Sequence, residues 1–323
     1  MLDGCLLIHK QAGVSSFGVI EKLQGMLRQQ TGQRRKELPK FGHGGTLDPF
    51  ATGLLLVCVG EGTKLSRYFL GSIKEYRGII RFGETTVPGD PTEPVSERTE
   101  HLPKDLTEIQ KAAASFCESL SGTPYLQTPP MHSAKKVGGK RLYELAREGK
   151  EISRSAVECR IVHFNITNYR TPTAEYLARV SAGTYIRVLG QDLGRRLGSL
   201  AMLNSLERTA SGRFRLEDSM TLDQISQIAQ SPSDWSKLSC FIPFEQMLDG
   251  FPVLALELRE AERVRHGNTQ EIERIASRLK EIHSSEKSVV LRDPDQKMTA
   301  IFSEVNGNFQ LDRVFQSQAL PKQ

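Results

Sequence analysis

Gly42-His43-Gly44-Gly45-Thr46-Leu47-Asp48-Pro49-Phe50-Ala51-Thr52-Gly53 is the stretch on which the reading of this chain turns. Its glycines let backbone approach a ligand closely, and the proline after Asp48 restricts that aspartate towards an extended conformation. No Gly-Lys-Ser/Thr closes the loop, so it is not a Walker phosphate loop. His43 and Asp48 have no further ligands at metal-site spacing. What remains is one carboxylate on a glycine-rich loop beside an imidazole. Taken alone, an aspartate in such a loop is ordinarily a turn-former or a cap.

The chain on either side supplies the frame. Downstream, Leu54 to Val59 is a strand-sized apolar run. Upstream, Arg28, Arg34, Arg35, Lys36 and Lys40 crowd a Gln/Gly-rich segment that reads as an exposed loop up to Pro39. Before it, Ser15 and Ser16 are placed to cap a helix whose apolar positions Val19, Ile20, Leu23 and Leu27 follow helical spacing. Gly4 to His9 reads as a short buried strand. Further on, Glu75 to Phe82 alternates as a strand with Tyr76, Gly78 and Ile80 on one face. Thr86 to Pro94 is loop. Leu106 to Leu120 has helical periodicity ending at Gly122, and Arg141 to Glu148 returns to helix after the Pro129-Pro130 break. Ile161 to Tyr169 and Ala174 to Ser181 pair around Thr171-Pro172-Thr173. Ile186, Leu189, Leu193 and Leu197 form a helical stripe. No βαβ unit repeats, which predicts an α+β fold with a mostly antiparallel central sheet.

Length and composition bound the rest. At ~150 residues per domain, 323 residues imply two domains. Hydrophobic residues at 38% and charged residues at 25% fit a globular chain, and no apolar run reaches the ~18–20 residues of a membrane span. Met1 leads straight into Cys5-Leu6-Leu7-Ile8, with no room for a secretion signal. The five cysteines are scattered without a C-x-x-C pair, as expected of buried thiols in a reducing compartment and not of a zinc ribbon or a disulfide scaffold. The expected location is the cytoplasm.

The net charge of +5 is unevenly placed. Met131 to Arg215 carries 16 basic and 7 acidic side chains, Leu216 to Gly250 one basic and six acidic, and Pro252 onward 11 of each. Such clustering suits a polyanion, whose neutralised phosphates release counterions, although charge alone does not separate this from a solvated surface. From Pro252 the character changes, with a helical stretch around Glu271 to Ile282 and strands at Ser288 to Arg292, Met298 to Ser303 and Phe309 to Phe315.

The Gly42 to Gly53 loop resembles the signature of the TruB family of RNA pseudouridine synthases, and other segments resemble that family in order. They are Gly60-Glu61-Gly62-Thr63-Lys64; the tyrosine strand Lys74-Glu75-Tyr76-Arg77; a Ser133/Ala134/Lys136 segment; Gly183-Thr184-Tyr185-Ile186-Arg187 with Asp192-Leu193-Gly194; and Leu206, Arg208, Gly212 and Phe214. The likeness spans about residues 1 to 225. The chain departs from the family at Lys10-Gln11, where Lys-Pro is usual, at Gly44, where many bacterial members carry a hydroxyl, and at His132, where tyrosine is usual.

The resemblance implies a pseudouridine synthase catalytic domain over 1–250 and a small β-rich, PUA-like RNA-binding domain over 251–323. It implies isomerisation of the T-loop uridine of tRNA (position 55), by base flipping, without cofactor or metal. It makes Asp48 the catalyst, attacking C1′ or taking the C2′ proton, and pairs it with Arg187, whose guanidinium should lower the aspartate pKa. Arg187 is expected two residues after Tyr185 on the same strand face. Tyr76 would stack on the flipped base while His43 fills part of the space it leaves. Tyr185 and Leu206 would line the pocket, and Lys64, Asp90, Lys136 and the basic insert would position RNA. A monomer without an obligatory protein partner or a membrane association is expected. The competing reading is an RNA-binding chaperone that refolds the T-arm without chemistry. A guide-RNA-dependent relative is a third, disfavoured by the short, balanced tail.

Overall fold

A computed structural model describes residues 2–117, 122–131, 133, 136–137, 140–141, 152–280 and 287–316, without the side chains of 136, 137, 140 and 141. The chain divides into two compact units, Met1–Ile242 and Pro243–Gln323.

The first unit is built on one sheet whose long strands run in the order Ile161–Arg170, Thr173–Val180, Lys74–Phe82, Ala201–Ser211, Thr52–Val59, Gly4–Lys10. Every neighbouring pair but one is antiparallel; Ala201–Ser211 and Thr52–Val59 meet in parallel, with Glu207 opposite Thr52 and Arg208 opposite Gly53. The fold is α+β with a mostly antiparallel sheet, as the sequence predicts.

Local sequence explains most elements. Ser15 is extended, and its hydroxyl accepts the Gly18 N–H, opening helix Ser16–Thr31; Gly32 closes it in the left-handed conformation. The predicted stripe Val19, Ile20, Leu23 and Leu27 is the buried face. Burying each such side chain is worth ~1.5–3 kcal/mol. Gly4–Lys10 and Thr52–Val59 are buried almost throughout, so they show continuous apolar runs instead of alternation. Thr173–Val180 alternates strictly, with Ala174, Tyr176, Ala178 and Val180 inward.

Three expectations change. The helix from Leu106 ends at Ala114, four residues before the segment 118–121 that lies outside the described residues, as does most of the expected Arg141 to Glu148 helix. Thr184 to Arg187 is not a strand: Ile186–Arg196 is a helix with Tyr185 as its extended N-cap. Arg187 therefore sits on a first helical turn, and strand periodicity does not relate it to Tyr185. Ala201–Ser211, which the sequence reading passes over, is a central strand. It is buried near the sheet centre and is irregular between Leu203 and Ser205 and between Arg208 and Ala210, which erases a period-two signal.

The second unit is β-rich. Val253–Ala255 pairs in parallel with Ser288–Arg292, followed antiparallel by Met298–Val305 and Asn308–Val314. Helices Leu258–Arg265 and Thr269–Leu279 contribute Ala261, Val264, Ile275 and Leu279 to a core shared with Val289, Leu291, Ala300 and Phe302. Among the described residues, no helix is long and apolar enough to cross a membrane.

Candidate active site

Asp48 stands in a cavity of about 330 Å³ lined by its own loop (Gly45 to Asp48), by Tyr76, by Tyr185 to Arg187 and by Leu206. That volume lies within the ~300–1,000 Å³ of small-molecule clefts. Asp48, Arg187, Tyr76, Tyr185 and Leu206, far apart in sequence, are thus brought together.

Asp48 Oδ2 accepts a hydrogen bond from Arg187 Nε at 2.8 Å. The guanidinium is buried; its Nη1 donates to the Pro88 carbonyl at 2.8 Å and lies 3.4 Å from Asp90 Oδ2. Asp90 is itself 3% exposed, and its other oxygen accepts from the Thr92 backbone N–H and hydroxyl. One arginine is therefore shared by two carboxylates. The Asp48 side chain alone remains 32% exposed, towards the cavity.

This arrangement corrects the expectation for Asp48. Burial pushes its carboxyl above the ordinary carboxylate range; Arg187 pulls it down and Asp90, a like charge, pushes it up again. The arginine tempers the rise without reversing it, because its charge is divided with Asp90.

Other elements hold the walls. Gln127 clamps Tyr185 at both backbone groups: its Oε1 accepts from Tyr185 N at 2.7 Å, and its Nε2 donates to Tyr185 O at 3.0 Å. Tyr76 lies on the central Lys74–Phe82 strand, opposite Ala178 on one side and Arg208 on the other. Leu206 is buried on the neighbouring strand.

The remaining expected residues fall elsewhere. Asp90 is buried beneath Arg187, so it has no surface from which to position RNA; its place is to hold the arginine. His43, on the short strand Phe41–His43, does not line the cavity. Lys64 is on the surface, paired with Glu61, also outside the cavity lining. Lys136 belongs to the short strand Lys136–Val137, but its side chain lies outside the described residues.

The sequence reading names Lys10, Lys74 and Arg208 as positions of the resemblance but gives them no role; the structure makes them buried polar groups around the loop. Lys10 Nζ donates to the Gln11, Val14 and Pro49 carbonyls. Burial pushes it down to about 8, opposed by Asp48 and reinforced by Arg208. Lys74 is buried under the Phe69, Leu70 and Ser72 carbonyls and is also pushed down by burial to about 8. Arg208 is buried against the carbonyls of Gly45, Thr46 and Leu54. In the sequence they stand out only as positions of the family resemblance, which does not show that they are buried or what they hold. Among the described residues, no group of three or more His, Cys, Asp or Glu side chains is placed to hold a metal ion.

A carboxylate with one oxygen gripped by arginine, facing a cavity with an aromatic wall, can act as a nucleophile or as a base on a planar ligand. Comparison with known proteins narrows this. Residues 32–186 match the TruB family pseudouridylate synthase (N terminal domain). The chain is 38% identical to tRNA pseudouridine synthase B of Opitutus terrae over 227 residues, 70% of this chain and 88% of that protein. It is 35% identical to tRNA pseudouridine synthase B of Chromobacterium violaceum over 288 residues, 89% of this chain and 88% of that one. Among solved structures, a chain of a Cbf5-Nop10-Gar1 complex shares the fold at a TM-score of 0.68 and 19% identity, covering 97% of this chain and 85% of that chain. Identity above 30% over more than two thirds of its length settles the assignment: this chain belongs to the TruB family of pseudouridylate synthases.

Proposed function

We propose that this protein converts the T-loop uridine of tRNA (position 55) to pseudouridine, with ionised Asp48 as the catalytic group. The observation that carries the reading is the Asp48–Arg187 pair opening into a cavity lined by Tyr76. A stacked uridine cannot reach such a carboxylate, so the nucleotide leaves the loop stack and its base stacks on Tyr76. Stacking on one aromatic is worth ~1–3 kcal/mol, of the order of the unstacking cost. Tyr185 and Leu206 close the walls, and His43 takes up part of the space the base vacates.

The chemistry balances without a redox step. The N1–C1′ bond breaks, with Asp48 either attacking C1′ or taking the C2′ proton. The base turns and C5 bonds to C1′, which breaks the Asp48–C1′ bond on the first route or is accompanied by return of the proton from Asp48 to C2′ on the second; the C5 proton then leaves and N1 takes up a proton. Nothing is transferred to or from a second molecule, so no cofactor or metal is required. Arg187 fixes the carboxylate oxygen that faces away from the sugar. Asp90 holds Arg187. Lys64, Lys136 and the basic insert Arg34, Arg35, Lys36 and Lys40 meet phosphates, and the Pro243–Gln323 unit serves as a PUA-like RNA-binding module. The protein works in the cytoplasm as a monomer without an obligatory protein partner. A T-arm chaperone has no use for a carboxylate held by arginine inside a cavity, which disfavours that reading.

The test is purified protein with an unmodified tRNA transcript in buffer without cofactor, followed by base-resolved mapping. Pseudouridine at the T-loop position is the expected result. A transcript left as uridine there overturns the proposal, and conversion only with an added guide RNA replaces it.

A further inference from the structure

Every residue of the Asp48 loop from Gly45 to Pro49 is bonded to a group outside the loop. Arg208 Nη2 donates to the Gly45 carbonyl at 3.1 Å, and its Nη1 donates to the Thr46 carbonyl at 3.4 Å. Ser16 Oγ donates to the Leu47 carbonyl at 2.9 Å and accepts the Leu47 N–H at 2.8 Å. Arg187 holds the Asp48 side chain. Lys10 Nζ and the Gly13 N–H both donate to the Pro49 carbonyl. A loop that served only as a linker would leave these groups to water.

Arg208 differs from the other holders because it joins three parts of the site. Its Nε donates to the Leu54 carbonyl at 2.7 Å, where the loop re-enters the sheet. Its backbone lies opposite Tyr76 on one side and opposite Gly53 on the other. Gly53 has φ +102°, and a Cβ there would run into the Arg208 backbone, so nothing larger fits. Gly45 has φ +134°, a conformation that favours glycine, and faces the Arg208 guanidinium at ordinary van der Waals distance. Arg208 is 2% exposed, and among the described residues its guanidinium bonds to backbone oxygens alone. A planar fork reaches the Leu54, Thr46 and Gly45 carbonyls from three separate nitrogens held in one plane, a spread that the single nitrogen of an ammonium does not reproduce.

We propose that Arg208 is the positioning residue for Asp48: it holds the Gly45–Thr46 and Leu54 carbonyls so that the carboxylate and Tyr76 keep a fixed separation across the cavity. This rests on the proposed uridine isomerisation; Arg208 borders the cavity, but its guanidinium donors are spent on loop and strand carbonyls, so it acts through geometry. Losing such a frame displaces the carboxylate, and displacement by ~1 Å costs about 100-fold in rate.

The experiment compares wild type, Arg208→Ala and Arg208→Lys on a T-arm stem-loop transcript, measuring the dissociation constant and the single-turnover rate separately. The expected result is RNA binding within about threefold of wild type, with a rate about 100-fold lower for Arg208→Ala and still at least about tenfold lower for Arg208→Lys. Added methylguanidinium is expected to raise the Arg208→Ala rate without changing wild type; a merely structural role moves the melting temperature and gives no such rescue. If Arg208→Ala does not fold, Arg208→Lys decides. A wild-type rate in Arg208→Lys, or a loss confined to RNA binding, overturns the inference. An inactive wild type overturns the isomerisation reading instead.

Discussion

Two arginine–aspartate pairs in this molecule, each built on a buried guanidinium, have the same residue types and opposite electrostatics. In the first unit, Asp48 receives Arg187 Nε and shares that arginine with Asp90. Burial dominates, and the Asp48 carboxyl titrates above its ordinary range. In the second unit, Asp293 also suffers burial, but Arg265 Nη2 donates to Oδ2 at 2.6 Å and the Lys297 N–H to Oδ1 at 2.9 Å. Those bonds win, and Asp293 lies below its ordinary range. Arg265 also reaches the Thr299 hydroxyl, so its pair is enclosed by protein donors and acceptors. Both oxygens of Asp293 are occupied, whereas Asp48 keeps an oxygen for a ligand. The difference between a structural carboxylate and a reactive one is the number of donors the fold gives it.

The largest separation comes from removing each cation. Arg187→Met should lower the single-turnover rate by about 100- to 1,000-fold, the loss typical of deleting one key charged donor, with RNA binding little changed in filter assays. Arg265→Met should leave the rate intact and cost ~3–5 kcal/mol in denaturant unfolding, because Asp293 is left buried and unpaired. A rate loss in the second variant, or none in the first, breaks the comparison.

Asp90→Asn sharpens it. Removing a like charge beside Asp48 lowers the Asp48 pKa, so the acid limb of the rate profile should move to lower pH. The rate at neutral pH should fall about tenfold as Arg187 loses its second anchor. An acid limb that stays put shows that Asp90 does not act on Asp48.

The pH dependence of stability carries the same contrast. Asp48, raised, binds its proton more tightly folded than unfolded, so it costs stability at neutral pH and that cost is relieved as pH falls through its folded pKa. Asp293, depressed, contributes stability above the unfolded value of ~3.9 that is lost as pH falls through its folded pKa. Asp293→Asn should therefore flatten the acid side of the stability curve, and Asp48→Asn should raise stability near neutrality; urea midpoints between pH 3 and 7 measure both. The smallest effect belongs to the surface: Lys64→Ala should reduce the salt slope of RNA binding by about one and leave the rate alone. Lys64 already spends part of its charge on Glu61.

What the sequence made legible was local. Ser15 with the Val19–Leu27 spacing marks one helix, the turn before Thr173 marks a hairpin, and the glycine-rich loop announces Asp48. The partners of Asp48 are long-range, and this is where sequence reading stops. Thr184-Tyr185-Ile186-Arg187 looks like a strand from its β-branched and aromatic residues, yet it enters a helix without a side-chain cap. Ala201–Ser211 is masked by burial and register shifts, so Arg208 shows itself only as a motif residue. The Asp90–Arg187 contact, and with it the direction of the Asp48 shift, depends on a fold that brings a loop and a helix terminus together.

The most direct measurement is base-resolved pseudouridine mapping of an unmodified tRNA transcript under single turnover, with wild type and Asp48→Asn at concentrations that bind the RNA equally. The account predicts conversion of one T-loop uridine by wild type and none by Asp48→Asn at the same occupancy. Conversion by Asp48→Asn at the wild-type rate would contradict it.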